Sequence, residues 1–573
     1  MKVLGLKLTH DGGIALLDGT RLVFSVEMEK VANRHRHAEI DDVGTIASVL
    51  ADQGVALDDV EAIAVDGWHA APGQDHTTVR LGHGPGGIDV AVAPYHEDRA
   101  GADPLRAYTA AAPWSGHEAR PYASYHHATD HMLSGYCTSP FARDGAPAYV
   151  LVWDGGMLPL LYHIEPANPR LDPASASLAV RSMGPLFPIY GNAFAEFAGQ
   201  CEEYRAQYER EQREAGRTRP SAIAGKAMAY AGLGRAEEDT YPVFERLLDR
   251  DDAFSIEGGV VLGRETRRRR DELFPSLTDA DLIASFQAYL GGELVDSLKR
   301  VLAREGGGCH NLVFVGGCAL NIKWNSTLRG SGLFDAMWVP PFPNDAGSAI
   351  GAAMTHHVVG GGDPVVEWSV YAGPSPGPVR DLPWRRRTCD AAGLAELLAE
   401  VGEPVVVVDG LAELGPRALG NRSILAPCTD PRMRDRLNKM KGREHYRPVA
   451  PICLVEDALG VFDPGTPDPY MLFDHRVRAE WAGRIPAVVH HDGTARLQTV
   501  GPGNGSRVGE VLREYRDRTG IPVLCNTSAN HAGRGFFPDA GSAIEWGQCD
   551  YVWSSGTLYI APGAADPAGE ARR

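Results

Sequence analysis

The sequence predicts an α/β (α+β) protein of two domains, the first of them internally duplicated. Three observations carry this. An apolar strand that enters an Asp-Gly-Gly turn and leaves in a second apolar run occurs twice, at Asp11-Gly12-Gly13 and at Asp154-Gly155-Gly156. Two later apolar strands also end in glycine-containing turns before helical stretches, the arrangement by which α/β folds seat phosphates. The texture then changes between residues 357 and 384, where Gly360-Gly361-Gly362 and five prolines precede a second α/β pattern.

The elements follow in order. Residues 2–8 read as a strand, His10 to Gly13 as a turn, 14–17 as a second strand, Asp18-Gly19 as a hairpin turn and 22–26 as a third strand. The pattern returns with a strand at 149–153, the turn at Asp154 and a strand at 158–164. An amphipathic helix over 279–304 precedes a buried-type strand at 312–315. Gly316 and Gly317 then lead through Asn321 into a helix. A strand at 338–341 ends near Asn344 and Asp345, before a helix over 349–355. The expected domains are 1–362 and 363–573, with a strand at 405–408 in the second and a disordered tail from Pro562.

Composition bounds the function. A chain of 573 residues that is 44% hydrophobic and 23% charged is an ordinary globular protein, which excludes a fibre or a wholly disordered chain. No run approaches the roughly 18 apolar residues of a membrane span. The N-terminal apolar segment is broken at His10, too early for a secretory leader, so a cytoplasmic location is expected. Nine cysteines with no Cys-x-x-Cys pair suggest neither a disulfide framework nor a zinc ribbon. A net charge of −18 opposes nucleic acid over the surface at large but permits a local basic pocket.

Two clusters carry chemistry. In Tyr125-His126-His127-Ala128-Thr129-Asp130-His131, His127 and His131 are four apart, which places both imidazoles on one face of a helix. Asp154 and Asp345, at strand ends, supply a third and a fourth ligand. Two imidazoles and two carboxylates suit iron, manganese or zinc. His126 with Asp130 is an alternative register, and a polar surface patch accounts for the spacing alone. The second cluster runs from residue 411 to 450, with nine basic against four acidic residues. Arg432, Arg434 and Arg436 fit a solvated helix face. Arg417 and Arg422 sit in a glycine-bounded loop, where guanidinium forks match phosphate oxygens.

At these residues the chain resembles the O-carbamoyltransferases of the nodulation-protein and cephem-carbamoylation type. The resemblance covers nearly the whole chain. It runs through His10-Asp11, His127-x-x-x-His131, Asp154-Gly155-Gly156, Gly225-Lys226-Ala227-Met228, Gly316-Gly317 to Asn321, and Asp345. It continues through Gly415 to Gly420, Arg443-Glu444 to Arg447-Pro448, Arg496 to Thr499, and Asn526-Thr527-Ser528. It implies an actin-like transferase domain, similar to the enzyme that completes threonylcarbamoyl modification of tRNA, followed by a YrdC-like domain. By that likeness the second domain makes carbamoyl adenylate from carbamoyl phosphate and ATP with Mg2+. The first domain transfers the carbamoyl group to a hydroxyl of a small natural product.

The likeness also assigns residues. His127, His131, Asp154 and Asp345 match the metal positions, usually Fe(II), and His10 matches the proposed general base. Gly155, Gly156, Lys226, Gly316, Gly317 and Asn321 match the adenylate cradle. Arg417, Arg422, Lys441, Arg447, Arg496, Asn526 and Ser528 match the site for carbamoyl phosphate and ATP. The family's Asn-Thr-Ser-Phe-Asn and following Gly-Glu-Pro are replaced here by Asn526-Thr527-Ser528-Ala529-Asn530 and Gly533-Arg534-Gly535, and Ala-Met-Ala-Tyr-Ala follows Lys226 where a glycine is usual. Two rival readings are a tRNA threonylcarbamoyl-transfer enzyme, opposed by the charge and the second domain, and an actin-like kinase or ATPase, in which the histidine pair has no role. The expected assembly is a homodimer, the commonest closed form. Acceptor specificity is expected among residues 68–123, with Trp68, Tyr95, Tyr108 and Trp114 as stacking surfaces.

Overall fold

The architecture was derived from a computed structural model of the chain. It describes all residues except 32–33, 72, 84–85, 98–101, 115–118, 168–175, 216–219, 249–257, 306–307, 380–381, 504 and 567–573.

The duplication is visible in two sheets. In the first, strands Arg21–Glu27, Gly13–Asp18, Lys2–Lys7, Ala62–Asp66 and Arg120–Tyr125 lie side by side in that order, with Tyr108–Ala112 at the edge. In the second the order is Leu178–Pro185, Leu160–Pro166, Ala148–Val152, Asn311–Val315 and Ala336–Trp338. Each sheet begins with an antiparallel meander of three strands and then adds two parallel strands to the meander's first. The chain leaves the last parallel strand of each sheet into a helix, and these two helices fill the space between the sheets.

These two helices position the site. His127–Cys137 is buried along its whole length, and Ser348–Val359 runs against it. Contact is close because the facing positions are small: a Cβ added at Gly351 would lie 2.0 Å from the Asp130 carbonyl oxygen. The helix expected over 279–304 is Asp279–Glu305. The strand expected at 338–341 is instead Ala336–Trp338, because Pro340 and Pro341 have no N–H to give a ladder.

The C-terminal half is built on an eight-stranded sheet. Its central strands are Val405–Val408, Arg422–Pro427, Val523–Ser528 and Ala450–Leu454. One apolar cluster from Cys389 to Ile560 forms its core. Pro562 to Asp566, expected to belong to a disordered tail, are tied down: Tyr551 donates to the Ala565 carbonyl at 2.8 Å, and Arg387 pairs with Asp566 at 3.1 Å. The rest of that tail lies outside the described residues.

The proline-rich connector stays on the first sheet before crossing. Leu22 N–H donates to Glu367 and Ser25 N–H to Ala372. The two halves then meet through polar contacts. Glu27 accepts from Gly415 N–H at 2.7 Å, and Lys30 Nζ donates to the carbonyls of Glu413 and Gly415. Tyr204 and Tyr446 hydroxyls lie 2.9 Å apart, and Lys323 pairs with Asp474 and Asp492. Among the described residues, no helix is long and apolar enough to cross a membrane.

Candidate metal centre and anion pocket

The helix N-terminus at His127 and the short turn Asp345–Gly347 point at one another, and the strand end at Asp154 closes the third side. Ligand atoms of His127, His131, Asp154 and Asp345 all fall within 4.8 Å of one another, and all four residues are buried. The two Nε2 atoms are 3.1 Å apart, with Asp345 Oδ1 at 3.5 Å from one and 3.4 Å from the other. His127 Nδ1 lies 2.8 Å from Asp66 Oδ2. With the proton on Nδ1, the Nε2 lone pair is left to face the centre, the usual outer-shell device of histidine metal sites. His126 turns away, to the Pro94 carbonyl and Tyr108, and Asp130 accepts from Thr355, so the alternative register does not form a site.

The surroundings were not singled out from sequence. Lys7, at the end of the first strand, pairs with Asp66 at 2.8 Å and Asp345 at 2.9 Å. Asp154 accepts from the Tyr95 hydroxyl and the Gly317 N–H, both at 2.7 Å. Burial would raise the Asp66 carboxyl, but His127 and Lys7 outweigh it and bring it down to about 2. Asp345 is likewise held well below the usual carboxylate range against its burial, chiefly by Lys7 and His10. Burial opposes charge on His127, yet Asp66 raises it to about 9. Burial, with Asp66 adding repulsion, pushes the Asp130 carboxyl far up. Once a bound cation displaces the His127 proton, the carboxylates of Asp66, Asp154 and Asp345 against the Lys7 ammonium leave two negative charges in a buried site. A divalent cation bound by two imidazoles and two carboxylates fits that balance and that donor set.

One side of the centre is open. The His10 side chain is 45% exposed, with Nε2 3.4 Å from Asp345 Oδ2. Trp68 stands edge-on to His10 with ring centroids 5.1 Å apart, and His69 stacks on Tyr95 at 4.1 Å. Of the four aromatics expected to face an acceptor, Trp114 is instead buried in the core, packed against Tyr122. Tyr95 spends its hydroxyl on Asp154.

The glycine turns lie on the opposite wall. Gly316 has φ of +91°, and a Cβ there would meet the Trp153 carbonyl oxygen at 2.4 Å, so only glycine fits. Gly317 and Gly155 flank Asp154, and Gly156 lies against the His69 ring. Asn321 caps the helix Ile322–Gly330 by accepting from the N–H groups of Lys323 and Trp324. Lys226 is not at these turns. It reaches the second half, pairing with Glu444 at 2.7 Å.

In the second half, Lys441 Nζ donates to the Ser528 hydroxyl at 2.9 Å and to Asn530 Oδ1, and Arg443 reaches Thr527 and Ser528. Arg417 Nε, Arg496 Nε and Asn526 Oδ1 are buried without a hydrogen-bond partner. Burial brings Arg417 down to about 10, with Arg36, Arg447 and Arg443 adding repulsion. Burial also holds Lys441, Arg443 and Arg496 well below their usual ranges, and neighbouring guanidinium groups add to the effect. Crowded, largely desolvated cations with unused donors make a pocket that an anion would stabilise. Arg422 is not available to it. Its guanidinium donates to the carbonyls of Asp409, Gly410, Asn421 and Pro374 and so organises the loop. Arg417 Nη2 reaches across to the Leu320 carbonyl, next to Asn321, so the two sites share a wall.

A duplicated α/β core holding a buried His/Asp cluster is thus joined to an α/β half that carries a cluster of crowded cations. The model of the carbamoyltransferase N-terminus matches residues 2–354 and that of the carbamoyltransferase C-terminus matches 395–553. The chain belongs to the carbamoyltransferase family, and it is an enzyme of that class. It is 43% identical to nodulation protein U of Sinorhizobium fredii (strain NBRC 101917 / NGR234), over 98% of this chain and 100% of that protein. Nodulation protein U of Bradyrhizobium diazoefficiens is 42% identical, over 98% and 97%. The 3'-hydroxymethylcephem-O-carbamoyltransferase of Streptomyces clavuligerus is 32% identical, over 98% and 99%.

Proposed function

We propose that this carbamoyltransferase makes carbamoyl adenylate in its C-terminal half and passes the carbamoyl group to a hydroxyl of a small natural product in its N-terminal half. The observation that carries the reading is the shared wall, where Arg417 of the anion pocket meets the loop that ends at Asn321. The repeated strand order supports an actin-like first domain of residues 1–362. The pocket beside strand Val523–Ser528 supports a YrdC-like second domain of 363–573.

The balance is as follows. Water cleaves carbamoyl phosphate to carbamate and phosphate. A carbamate oxygen attacks the α-phosphorus of ATP, carried with Mg2+, and pyrophosphate leaves. Arg417, Lys441, Arg443, Arg447 and Arg496 hold the phosphate oxygens while charge shifts among them, which needs fixed cations more than an acid or base. Ser528 and Asn526 add polar contacts. The adenylate crosses to the wall formed by Gly155, Gly156, Gly316, Gly317 and Asn321. Lys226, paired with Glu444, braces that passage from the first half. His10 takes the proton of the acceptor hydroxyl, whose oxygen attacks the carbamoyl carbon, and AMP leaves. His127, His131, Asp154 and Asp345 would hold a divalent cation, proposed as Fe(II), which polarises the carbamoyl group as a Lewis acid. Trp68 and His69 line the acceptor side.

An acceptor panel tests this reading. Incubation with ATP, Mg2+, carbamoyl phosphate and hydroxylated sugars, macrolides or 3'-hydroxymethylcephems is expected to add one carbamoyl group to a hydroxyl, read by mass spectrometry. The addition should require both ATP and carbamoyl phosphate. Transfer that proceeds without ATP would contradict the adenylate route.

A further inference from the structure

The segment between strand Arg21–Glu27 and helix Val43–Asp52 belongs to the first half but is moored on the second. Gly535 N–H donates to the Arg34 carbonyl at 2.9 Å, and Arg36 N–H donates to the Gly533 carbonyl at 3.2 Å. His35 and Arg534 form an antiparallel bridge between them. The approach is very close, since a Cβ at residue 535 would overlap the Glu29 carbonyl oxygen, 1.5 Å away. This is the turn at which the sequence departs from its family's Gly-Glu-Pro, and glycine at its third position is what lets the segment dock.

Docking fixes where two neighbouring side chains go. His37, in the left-handed region at φ +62°, pairs through Nδ1 with Asp11 at 2.7 Å, beside His10. Arg36 goes the other way, tethered loosely to buried Glu29 at 3.9 Å, with its side chain 44% exposed. The turn it docks on is tied to the pocket of the second half: Asn530, which accepts from Lys441, donates to the Arg534 carbonyl at 2.8 Å, and the Arg36 charge adds to the repulsion at Arg417, Lys441, Arg443 and Arg447. A cation placed by a purpose-shaped backbone contact beside four others of like sign raises the energy of the empty pocket. An anion reverses that sign.

We propose that Arg36 of the first domain is an anion-binding residue of the second domain's pocket, brought there by docking of residues 34–37 onto Gly533-Arg534-Gly535. The inference rests on the reading of that pocket as the carbamoyl phosphate and ATP site. It makes the pocket competent only when the two domains are docked, which ties adenylate formation to a closed path toward the transfer site.

The test is calorimetric titration of carbamoyl phosphate into the full-length protein at low and high salt. Arg36→Ala is expected to weaken binding about tenfold and to flatten the salt dependence, since a charge-assisted contact is lost. Arg36→Lys should fall between, keeping the charge without the fork. Gly535→Ala should reproduce Arg36→Ala by pushing the segment off its dock. Arg432→Ala, which removes an exposed cation paired with Asp430, is the control and should bind as wild type. Arg36→Ala binding equal to the control would overturn the proposal, and this holds even if Gly535→Ala fails to fold. Arg36→Ala weakened with folded Gly535→Ala unaffected would overturn the docking. A wild-type protein that binds no carbamoyl phosphate would sink both the inference and the reading beneath it.

Discussion

His127→Asn is expected to lower carbamoyl transfer by at least about a thousandfold while carbamoyl adenylate continues to form. The variant removes one of four donors to the proposed cation and leaves Asp66 with Lys7 as its remaining partner. The pocket proposed to form the adenylate shares no residue with this centre, so pyrophosphate release should persist and adenylate should build up. Asp66→Asn, which only loosens the hold on His127, should cost about ten- to a hundredfold in metal affinity. The pH dependence follows from the same pair. Asp66 raises His127 to about 9, so a proton competes with the cation below that pH. Affinity of chelator-treated protein for a divalent metal should therefore rise with pH and level off near 9, as measured by metal titration. Equal loss of adenylate formation and transfer in His127→Asn would mean that the two sites are not separate.

The second expected effect has opposite signs for function and stability. Arg496→Met should reduce adenylate formation by about a hundredfold or more and raise the unfolding temperature of the ligand-free protein. Arg496 is partly buried, its buried Nε has no hydrogen-bond partner, and Arg417 and Arg447 repel it. Methionine keeps much of the length and removes the unpaired charge, a change that stabilises by about 1 to 3 kcal/mol at comparable buried sites. Saturating carbamoyl phosphate should cancel the gain, because only the wild-type pocket is stabilised by the anion. Thermal scans with and without ligand read both signs. A destabilised Arg496→Met would show that Arg496 supports the fold rather than an anion.

Much of this was legible in the sequence, for physical reasons. Asp-Gly after an apolar strand is common in hairpins, so one such turn says little, but its repetition in the same context pointed to the doubled sheet. His127 and His131 were legible because helical spacing alone puts them on one face. Lys7 and Asp66 were not, nor was the role of Tyr95, which was read as an acceptor-stacking ring and not as the partner of Asp154. Each sits at or just beyond the end of an apolar strand, where a polar residue ordinarily marks the surface, and only the crossing of strands and helices buries them together. A lysine ending a strand that enters the His10-Asp11 turn was the one signal available. Arg422 misled in the opposite sense: beside a glycine it reads as a phosphate ligand, but the loop folds inward and its donors go to four carbonyls. Arg36 carried no signal, because its partners lie some 400 residues away in sequence and depend on Gly535.

The central claim is that two chemistries are divided between two halves of one chain, and the most direct measurement leaves out the acceptor. Purified protein is mixed with ATP, Mg2+ and carbamoyl phosphate, and products are read by mass spectrometry, with Arg417→Ala alongside. The account predicts carbamoyl adenylate and pyrophosphate from the wild type and neither from Arg417→Ala. ATP and carbamoyl phosphate both recovered intact from the wild type would contradict it.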